Sequence, residues 1–284
     1  MYLNEALLRE ETERAGLRLE FHETADSTNN LGKCRGAGGA GEGLLIVSRI
    51  QTGGKGRLGR SFLSGANGLY MTLLMRPELP VSEALKVTTA AAVCIAEAVE
   101  ELTGKSAGIK WVNDIYTDSG KVCGILCESA LTPGSDRMDY IVCGMGINIE
   151  TPEGGFPPDL PLAGSLYPEG TAPEGTAERL AAKVAAGLLS AVRDYAAEYR
   201  LGGTAVGERL FSSYSRHSVM PGREILVIPQ PGQSEEAIPA VCKDLDRDYR
   251  LLVEYENGTE EWLESGDVSL RFRSRPDAPK GGNS

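Results

Sequence analysis

One stretch of the sequence reads Gln51-Thr52-Gly53-Gly54-Lys55-Gly56-Arg57-Leu58-Gly59-Arg60 and follows directly after the apolar run Leu44-Leu45-Ile46-Val47-Ser48. Its four glycines let the backbone adopt positive φ and approach a ligand closely. Lys55, Arg57 and Arg60 add three positive charges within six residues, and such side chains bind carboxylates and phosphates through charge-assisted hydrogen bonds. Residues 51–60, the basic loop, therefore predict an anion-binding segment, with a solvated turn as the simpler alternative.

The basic loop has to be distinguished from two glycine-rich nucleotide-binding patterns. Residues 54–59 read GxGxxG, but that dinucleotide fingerprint must open a helix, and the apolar run at 68–75 behind the loop is typical of another strand. A P-loop is excluded as well, because Lys55 is followed by Gly56 and not by Ser or Thr. Anion binding of another type is expected.

Length and composition limit the class of protein. A chain of 284 residues can hold one large domain and a small one. The formal net charge of -11 argues against a nucleic-acid partner, since such surfaces usually carry a basic excess. The longest apolar stretch, at 90–98, is short and contains Glu97, so neither a membrane span nor a signal peptide is expected.

The cysteines and histidines indicate a reducing compartment and argue against a metal site built on histidine. The six cysteines lie mostly in apolar runs without CxxC spacing, which predicts buried thiols in a cytoplasmic protein. Only two histidines are present, so a histidine-based metal site is not expected.

The remaining chain alternates predicted strands and helices. An amphipathic helix ends near Gly16, and an Ala-rich helix from Ser82 to Leu102 is expected to be capped by Ser82. Further strands are predicted at 17–21, 68–75, 109–116, 121–128 and 138–149, and further helices at 177–200 and 207–215. Five short strands follow, at 223–228, 237–243, 250–255, 260–263 and 268–273. This order predicts an α/β domain over 1–217, a small β-barrel over 218–273 and a flexible tail over 274–284.

Three more segments place polar residues or glycines where a ligand could lie. Ser27-Thr28-Asn29 follows a strand and either caps a helix or binds a ligand. Asn113-Asp114 lies in a hairpin whose second strand begins near Lys121, and a turn or bulge is the simpler alternative there. Gly144 and Gly146 interrupt an apolar strand, which is economical if a ligand or strand lies close against the backbone.

Together these segments resemble the biotin protein ligases over nearly the whole chain. Five motifs in order carry the resemblance: Ser27-Thr28-Asn29, the basic loop, Lys110-Trp111-Val112-Asn113-Asp114, Gly120-Lys121-Val122-Cys123-Gly124-Ile125-Leu126 and Gly144-Met145-Gly146-Ile147-Asn148. The resemblance implies an α/β catalytic domain with a mixed sheet and helices, followed by a small SH3-like β-barrel. It also implies the short form of the family, which lacks an N-terminal DNA-binding domain.

The sequence departs from the family pattern at a few positions. Gly53 and Lys55 stand where the family usually has Ala and Arg, and Val112 stands where Pro is usual. Lysine at 55 keeps the charge but loses the bidentate fork of arginine. No tryptophan follows Asn148 within the predicted catalytic domain, so an adenine-stacking tryptophan seen in some relatives has no counterpart.

The resemblance implies a two-step reaction with ATP, Mg²⁺ and biotin. The carboxylate of biotin attacks the α-phosphate of ATP and releases pyrophosphate, and a lysine of a biotin carboxyl carrier protein then attacks the mixed anhydride. The implied partner is therefore the carrier protein or domain of a biotin-dependent carboxylase, while nucleic acid and membrane are not expected as partners. Whether the chain forms a homodimer stays open.

The resemblance also implies roles for individual residues. Arg57 and Lys121 would be catalytic at the junction of carboxylate and phosphate, with Lys55 and Arg60 assisting the phosphates, and Asp114 would contact the metal. Biotin binding is implied for Ser27, Thr28, Asn29, Gln51, Gly54, Lys55, Gly56, Arg57, Lys121, Gly124, Gly144 and Gly146. ATP binding is implied for Arg57, Arg60, Lys110, Trp111, Asn113, Asp114, Lys121 and Asn148.

Two other functions are compatible with the same motifs. A lipoate-type protein ligase shares the fold, although the basic loop and the predicted C-terminal barrel favour biotin. A biotin sensor that forms no product, or a repressor, belongs to a different class, and the acidic net charge weighs against the repressor.

Overall fold

The computed structural model describes residues 3–229, 237–265 and 268–272. Its larger sheet contains β1 (Arg18–Ala25), β2 (Leu44–Gln51), β3 (Gly68–Met75), β4 (Gly108–Lys110), β5 (Asp114–Thr117), β6 (Gly120–Leu131) and β7 (Met138–Asn148). The strand order is β1-β2-β3-β7-β6-β5-β4. β1 and β2 pair in parallel and the other neighbours pair antiparallel, so the predicted mixed sheet is confirmed.

Helices cover both faces of this sheet. They are α1 (Glu5–Arg14), α2 (Thr28–Ala37), α3 (Ala84–Thr103), α4 (Thr176–Arg200) and α5 (Ala205–His217). α3 and α4 pack on each other above the main core, and α2 packs on β3 and β7. A smaller core lies under α2 and contains Leu44, Ile46, Leu74, Tyr140 and Val142. Because both faces are covered, the central strand β3 is buried along its whole length.

The predicted capping of the Ala-rich helix by Ser82 is wrong. Residues Val81–Glu83 form a short 3-10 helix, and α3 begins at Ala84 with Glu83 at its N-cap. Ser82 therefore lies within the preceding turn and does not cap α3. The C-terminal end agrees with the prediction, since Gly104 adopts a left-handed conformation with φ of 68° just after the helix. Among the described residues, no helix combines the length and apolar character needed to cross a membrane.

The C-terminal strands form a second sheet. They are β8 (Glu224–Pro229), β9 (Ile238–Leu245), β10 (Leu251–Tyr255), β11 (Glu260–Leu263) and β12 (Val268–Phe272), in the antiparallel order β11-β10-β9-β8-β12. A turn through Gly258, with φ of 81°, joins β10 to β11 as the Asn257-Gly258 pair predicts. Within the described residues no pairing closes β11 onto β12, so a five-stranded sheet is established and the SH3-like barrel remains a prediction. The predicted tail at 274–284 lies outside the described residues.

Candidate functional site

The register of the strands places two glycines side by side on one face of the large sheet. Tyr70, Gly146, Gly124, Asp114 and Lys110 are consecutive partners across β3, β7, β6, β5 and β4. Direct partners in antiparallel strands lie on the same face of the sheet. Gly146 and Gly124 therefore form a flat surface, the glycine floor. Tyr70 lies on one side of it, and the carboxylate of Asp114 and the ammonium group of Lys110 lie on the other.

The glycines are needed because other groups lie directly on the floor. A Cβ atom on Gly146 would be 2.6 Å from Cε1 of Phe62, and one on Gly124 would be 3.2 Å from Cε2 of the same ring. A Cβ on Gly144 would be only 2.0 Å from Oδ1 of Asn29. The expected close contact at these strand glycines is thus made by an aromatic ring and an amide.

A small pocket lies over this floor and contains eight of the predicted biotin-binding residues. They are Ser27, Thr28, Asn29, Gln51, Lys55, Gly124, Gly144 and Gly146. With the ring of Phe62 in place, the free volume is ≈ 30 Å³, enough for about two or three water molecules.

The polar lining of the small pocket is mostly uncharged and internally hydrogen-bonded. Oε1 of Gln51 accepts bonds from the backbone N–H of Thr28 at 2.8 Å and from its hydroxyl at 3.1 Å. Nε2 of Gln51 donates to the hydroxyl of Ser64 at 3.0 Å. Ser27 holds the N-cap position of α2 but makes no side-chain capping bond, so helix capping does not explain its hydroxyl.

Two glycines of the basic loop lie outside the small pocket. A Cβ on Gly54 would be 2.4 Å from the carbonyl oxygen of Phe62, so a glycine at 54 is needed for the backbone at Phe62 to pack against it. The backbone N–H of Gly56 donates to the carbonyl of Arg60 at 2.7 Å, and Gly56 lines the neighbouring cleft. Their role is to shape the loop.

A larger cleft beside the small pocket brings together all the predicted ATP-binding residues. They are Arg57, Arg60, Lys110, Trp111, Asn113, Asp114, Lys121 and Asn148. The cleft has a free volume of ≈ 530 Å³, and the segment after β7 adds Phe156, Asp159 and Leu160 to its wall. Phe62 lines both the cleft and the small pocket, so one ring separates the two cavities.

The cleft concentrates positive charge around the partly buried carboxylate of Asp114. Nζ of Lys121 lies 2.7 Å from Oδ1 of Asp114. Burial raises the pKa of Asp114, but Lys121, Lys110 and Arg57 more than offset this, so the pKa lies below its usual value. Burial lowers the pKa of Arg57, and the Asp114 carboxylate partly offsets that shift. Asp114 is therefore ionised at neutral pH and holds the surrounding cations in place.

The C-terminal sheet reaches the cleft at two points that sequence reasoning missed. Arg57 donates one bond to Oδ1 of Asn113 at 3.2 Å and another to the backbone carbonyl of Ser265. The indole N–H of Trp111 donates to the carbonyl of Tyr249 at 2.7 Å. The catalytic candidate Arg57 is thus held by residues next to both sheets, and the polar group of Trp111 is already hydrogen-bonded.

The basic loop divides its charges between the two cavities. Leu58 and Gly59 adopt positive φ, at 56° and 72°, and reverse the chain so that Arg57 and Arg60 both line the cleft. Lys55 instead lies on the small pocket, where Nζ donates to Oδ1 of Asn30 at 2.6 Å. The structure therefore does not bring Lys55 to Arg60 in the cleft, as its predicted role at the phosphates would require.

The sequence analysis missed Phe62, which lines the small pocket, and two residues that hold Asn29 in place there. Phe62 lies two residues beyond the end of the basic loop, and an aromatic residue at that place was the available signal. Thr72 and Glu128 contact Asn29, but each lies in a strand remote in sequence from it. No local pattern marks them.

Comparison with known proteins shows what these features are similar to. Residues 23–148 match the model of the biotin/lipoate A/B protein ligase family. The chain is 35% identical over 150 residues to the bifunctional ligase/repressor BirA of Bacillus subtilis, a match that covers 52% of this chain and 46% of that protein. The chain thus spans about half of that relative. It is also 27% identical over 281 residues to the biotin–[acetyl-CoA-carboxylase] ligase of Mycobacterium tuberculosis, covering 94% of this chain and 95% of that one.

Solved structures agree with the fold. A variant of the biotin protein ligase from Aquifex aeolicus, in complex with biotin, superposes with a TM-score of 0.67 at 25% identity, covering 90% of this chain and 98% of that chain. The resemblance to biotin protein ligases is therefore confirmed, and over residues 23–148 the chain matches the biotin/lipoate A/B protein ligase family.

Proposed function

We propose that this chain is an ATP-dependent ligase that activates biotin as biotinoyl-5'-AMP and transfers it to a lysine of a biotin carboxyl carrier protein. The observation that carries the proposal is the meeting of an uncharged polar pocket and a basic cleft at the ring of Phe62. The first suits the neutral ureido ring of biotin and the second suits phosphate. The names of the relatives, which are ligases for acetyl-CoA carboxylase, support this class of acceptor.

In the first step two anions must come together. The carboxylate oxygen of biotin forms a bond to the α-phosphorus of ATP, and the bond from that phosphorus to the pyrophosphate oxygen breaks. Lys121 is suited to this junction because its Nζ lies 3.5 Å from the Cβ position of Gly124, at the edge of the glycine floor. Arg57, fixed by Asn113 and Ser265, provides a second cation in the same cleft. Positioning and charge stabilisation are then the main catalytic effects.

The small pocket must enlarge before biotin can enter. Its free volume of ≈ 30 Å³ is far smaller than a bicyclic ligand with a valeryl chain. The obstacle is the ring of Phe62, a side chain on the segment that follows the basic loop. We propose that biotin takes the place of this ring over Gly124 and Gly146, and that the loop then closes over the adenylate and excludes water.

The nucleotide would occupy the cleft. Asn113 and Asn148 face it with polar groups, and Phe156 and Leu160 provide an apolar surface for the adenine base where a stacking tryptophan is missing. Mg²⁺ usually binds through one or two carboxylates together with substrate phosphates. Asp114 and Asp159 fit that pattern, and the described residues contain no cluster of three or more candidate ligands. Bound Mg²⁺ would neutralise phosphate charge.

We also propose the domain division that this function implies. Residues 1–217 would form the catalytic domain and 218–273 an SH3-like barrel, whose contacts with Trp111 and Arg57 hold the cleft from one side. The carrier protein would bring its lysine to the adenylate at the open side of the cleft.

The alternatives differ in what the small pocket must bind. The dithiolane ring of lipoate has no N–H or C=O group, so it would gain no hydrogen bond from the polar side chains of Thr28, Asn29 and Gln51. A biotin sensor would bind the same ligand as the proposed ligase but release no pyrophosphate. The test is incubation with Mg-ATP, a carrier domain and either biotin or lipoate, followed by pyrophosphate and carrier mass measurement. We expect pyrophosphate release and a mass increase of the carrier with biotin but not with lipoate. An unmodified carrier after incubation with biotin would contradict the proposal.

Replacement of Gly53 by alanine should leave activity nearly unchanged. A Cβ atom at this position would be 3.3 Å from the carbonyl of Asp26, a contact that a small shift relieves, and Gly53 does not adopt positive φ. Biotin-dependent pyrophosphate release and the melting temperature of Gly53→Ala are the measurements. A large loss of activity would show that the loop takes a different conformation during the reaction.

A further inference from the structure

Asn29 has its amide orientation fixed by groups that can only accept hydrogen bonds. The side chain is buried at the first turn of α2. Its Nδ2 donates to the carbonyl of Leu126 at 3.1 Å and to Oε2 of Glu128 at 2.9 Å. Neither partner can donate, so both amide N–H groups must point toward them. The amide oxygen is thereby turned in the other direction.

That oxygen lies on the floor of the small pocket. Oδ1 of Asn29 accepts one bond from the hydroxyl of Thr72 at 2.7 Å. It also lies 2.0 Å from the position that a Cβ atom on Gly144 would take, directly over the sheet. A carbonyl oxygen has two lone pairs, and Thr72 uses one of them. Asn29 therefore presents a hydrogen-bond acceptor to the pocket.

Glu128 is itself held as an anion. Its Oε1 accepts a bond from Nζ of Lys33 at 2.5 Å. Burial raises the pKa of Glu128, but the bonds from Lys33 and Asn29 and the charge of Lys55 outweigh this and place the pKa below its usual value. At neutral pH the carboxylate therefore carries no proton to donate. A protonated Glu128 could donate to the amide oxygen and would allow Asn29 to flip.

We propose that Glu128 is a positioning residue that fixes Asn29 as an acceptor, so that the small pocket selects a ligand ring carrying an N–H donor. The ureido ring of biotin carries such donors and a dithiolane ring carries none. The inference rests on the proposed function and assigns its ligand selectivity to a residue outside the family motifs quoted above.

The variant Glu128→Gln tests this role with little change in size. Glutamine can donate to Oδ1 of Asn29, so only the carbonyl of Leu126 still favours the present orientation, and the amide can more easily flip and turn its NH₂ group toward the ligand N–H. We expect the KM for biotin to rise about 10- to 100-fold, the range for a hydrogen bond that involves a charged partner. The kcat at saturating biotin and the KM for ATP should stay close to the wild-type values, because the cleft is unchanged.

Lys33→Met is the matched control. It removes the cation beside Glu128 but leaves the carboxylate that accepts from Asn29. We expect a much smaller rise in the KM for biotin than for Glu128→Gln, with thermal melting confirming that both variants fold. Equal rises in the two variants would show that only the ion pair matters and would overturn the inference.

A chemical probe tests the same point on the unmodified protein. Biotin methylated at a ureido nitrogen should bind the wild type about tenfold or more weakly than biotin, and the penalty should shrink in Glu128→Gln. The same penalty in both proteins would overturn the inference while leaving the proposed function intact. Absence of any biotin-dependent pyrophosphate release by the wild type would instead overturn the proposed function, and the inference with it.

Discussion

Alanine in place of Lys121 or Arg57 is expected to lower the rate of adenylate formation by at least about two to three orders of magnitude, the usual cost of removing one preorganised charge-stabilising donor. Lys121 lies 2.7 Å from Asp114, and Arg57 bonds to Asn113, so both cations are fixed on neighbouring residues of the same cleft. Without either one, carboxylate and α-phosphate would approach each other beside an ionised Asp114. Biotin-dependent pyrophosphate release measures the effect.

Controls for these two variants separate catalysis from folding. Lys183→Ala is a matched lysine variant, because Lys183 pairs with Glu101 at 2.7 Å on the surface, away from the cleft. We expect it to keep full activity. Lys121→Ala leaves the partly buried Asp114 without its nearest cation, so thermal melting should accompany the assay, and Lys121→Arg should recover part of the rate. Full pyrophosphate release by Arg57→Ala or by Lys121→Ala would refute the assigned role.

Much of the fold follows from local patterns. The apolar run at 68–75 is β3, residue for residue, and the Asn257-Gly258 pair marks the turn between β10 and β11. These features depend on residues close in the chain, where turn chemistry and apolar runs decide the outcome. Ser82 is an exception. Serine is a favourable N-cap residue, but Val81–Glu83 form a 3-10 helix, so α3 begins only at Ala84.

Only those residues of the site that lie in contiguous sequence motifs could be predicted. Glycine in the apolar strand β7 indicated a close contact, and the structure provides that contact at Gly144 and Gly146. The identity of the contacting groups could not be predicted in the same way. Glu128 is 99 residues from Asn29 in sequence, and Ser265 is 208 residues from Arg57. Such pairs depend on strand register and domain packing, which local sequence does not specify.

Gly144→Ala should raise the KM for biotin about 10- to 100-fold, in keeping with an overpacking cost of about 1–3 kcal/mol at a pinned site. The added Cβ would lie 2.0 Å from Oδ1 of Asn29, and this amide cannot move without breaking its bonds to Thr72 and Glu128. Gly146→Ala should cost less, because its contact is the ring of Phe62, which we expect to leave when biotin binds. Gly65→Ala is the matched control, since its Cβ would meet nothing within 4 Å. Steady-state kinetics with biotin varied at saturating ATP measures all three variants. An unchanged KM for Gly144→Ala in a protein of normal melting temperature would mean that biotin does not depend on Asn29 being held against this strand.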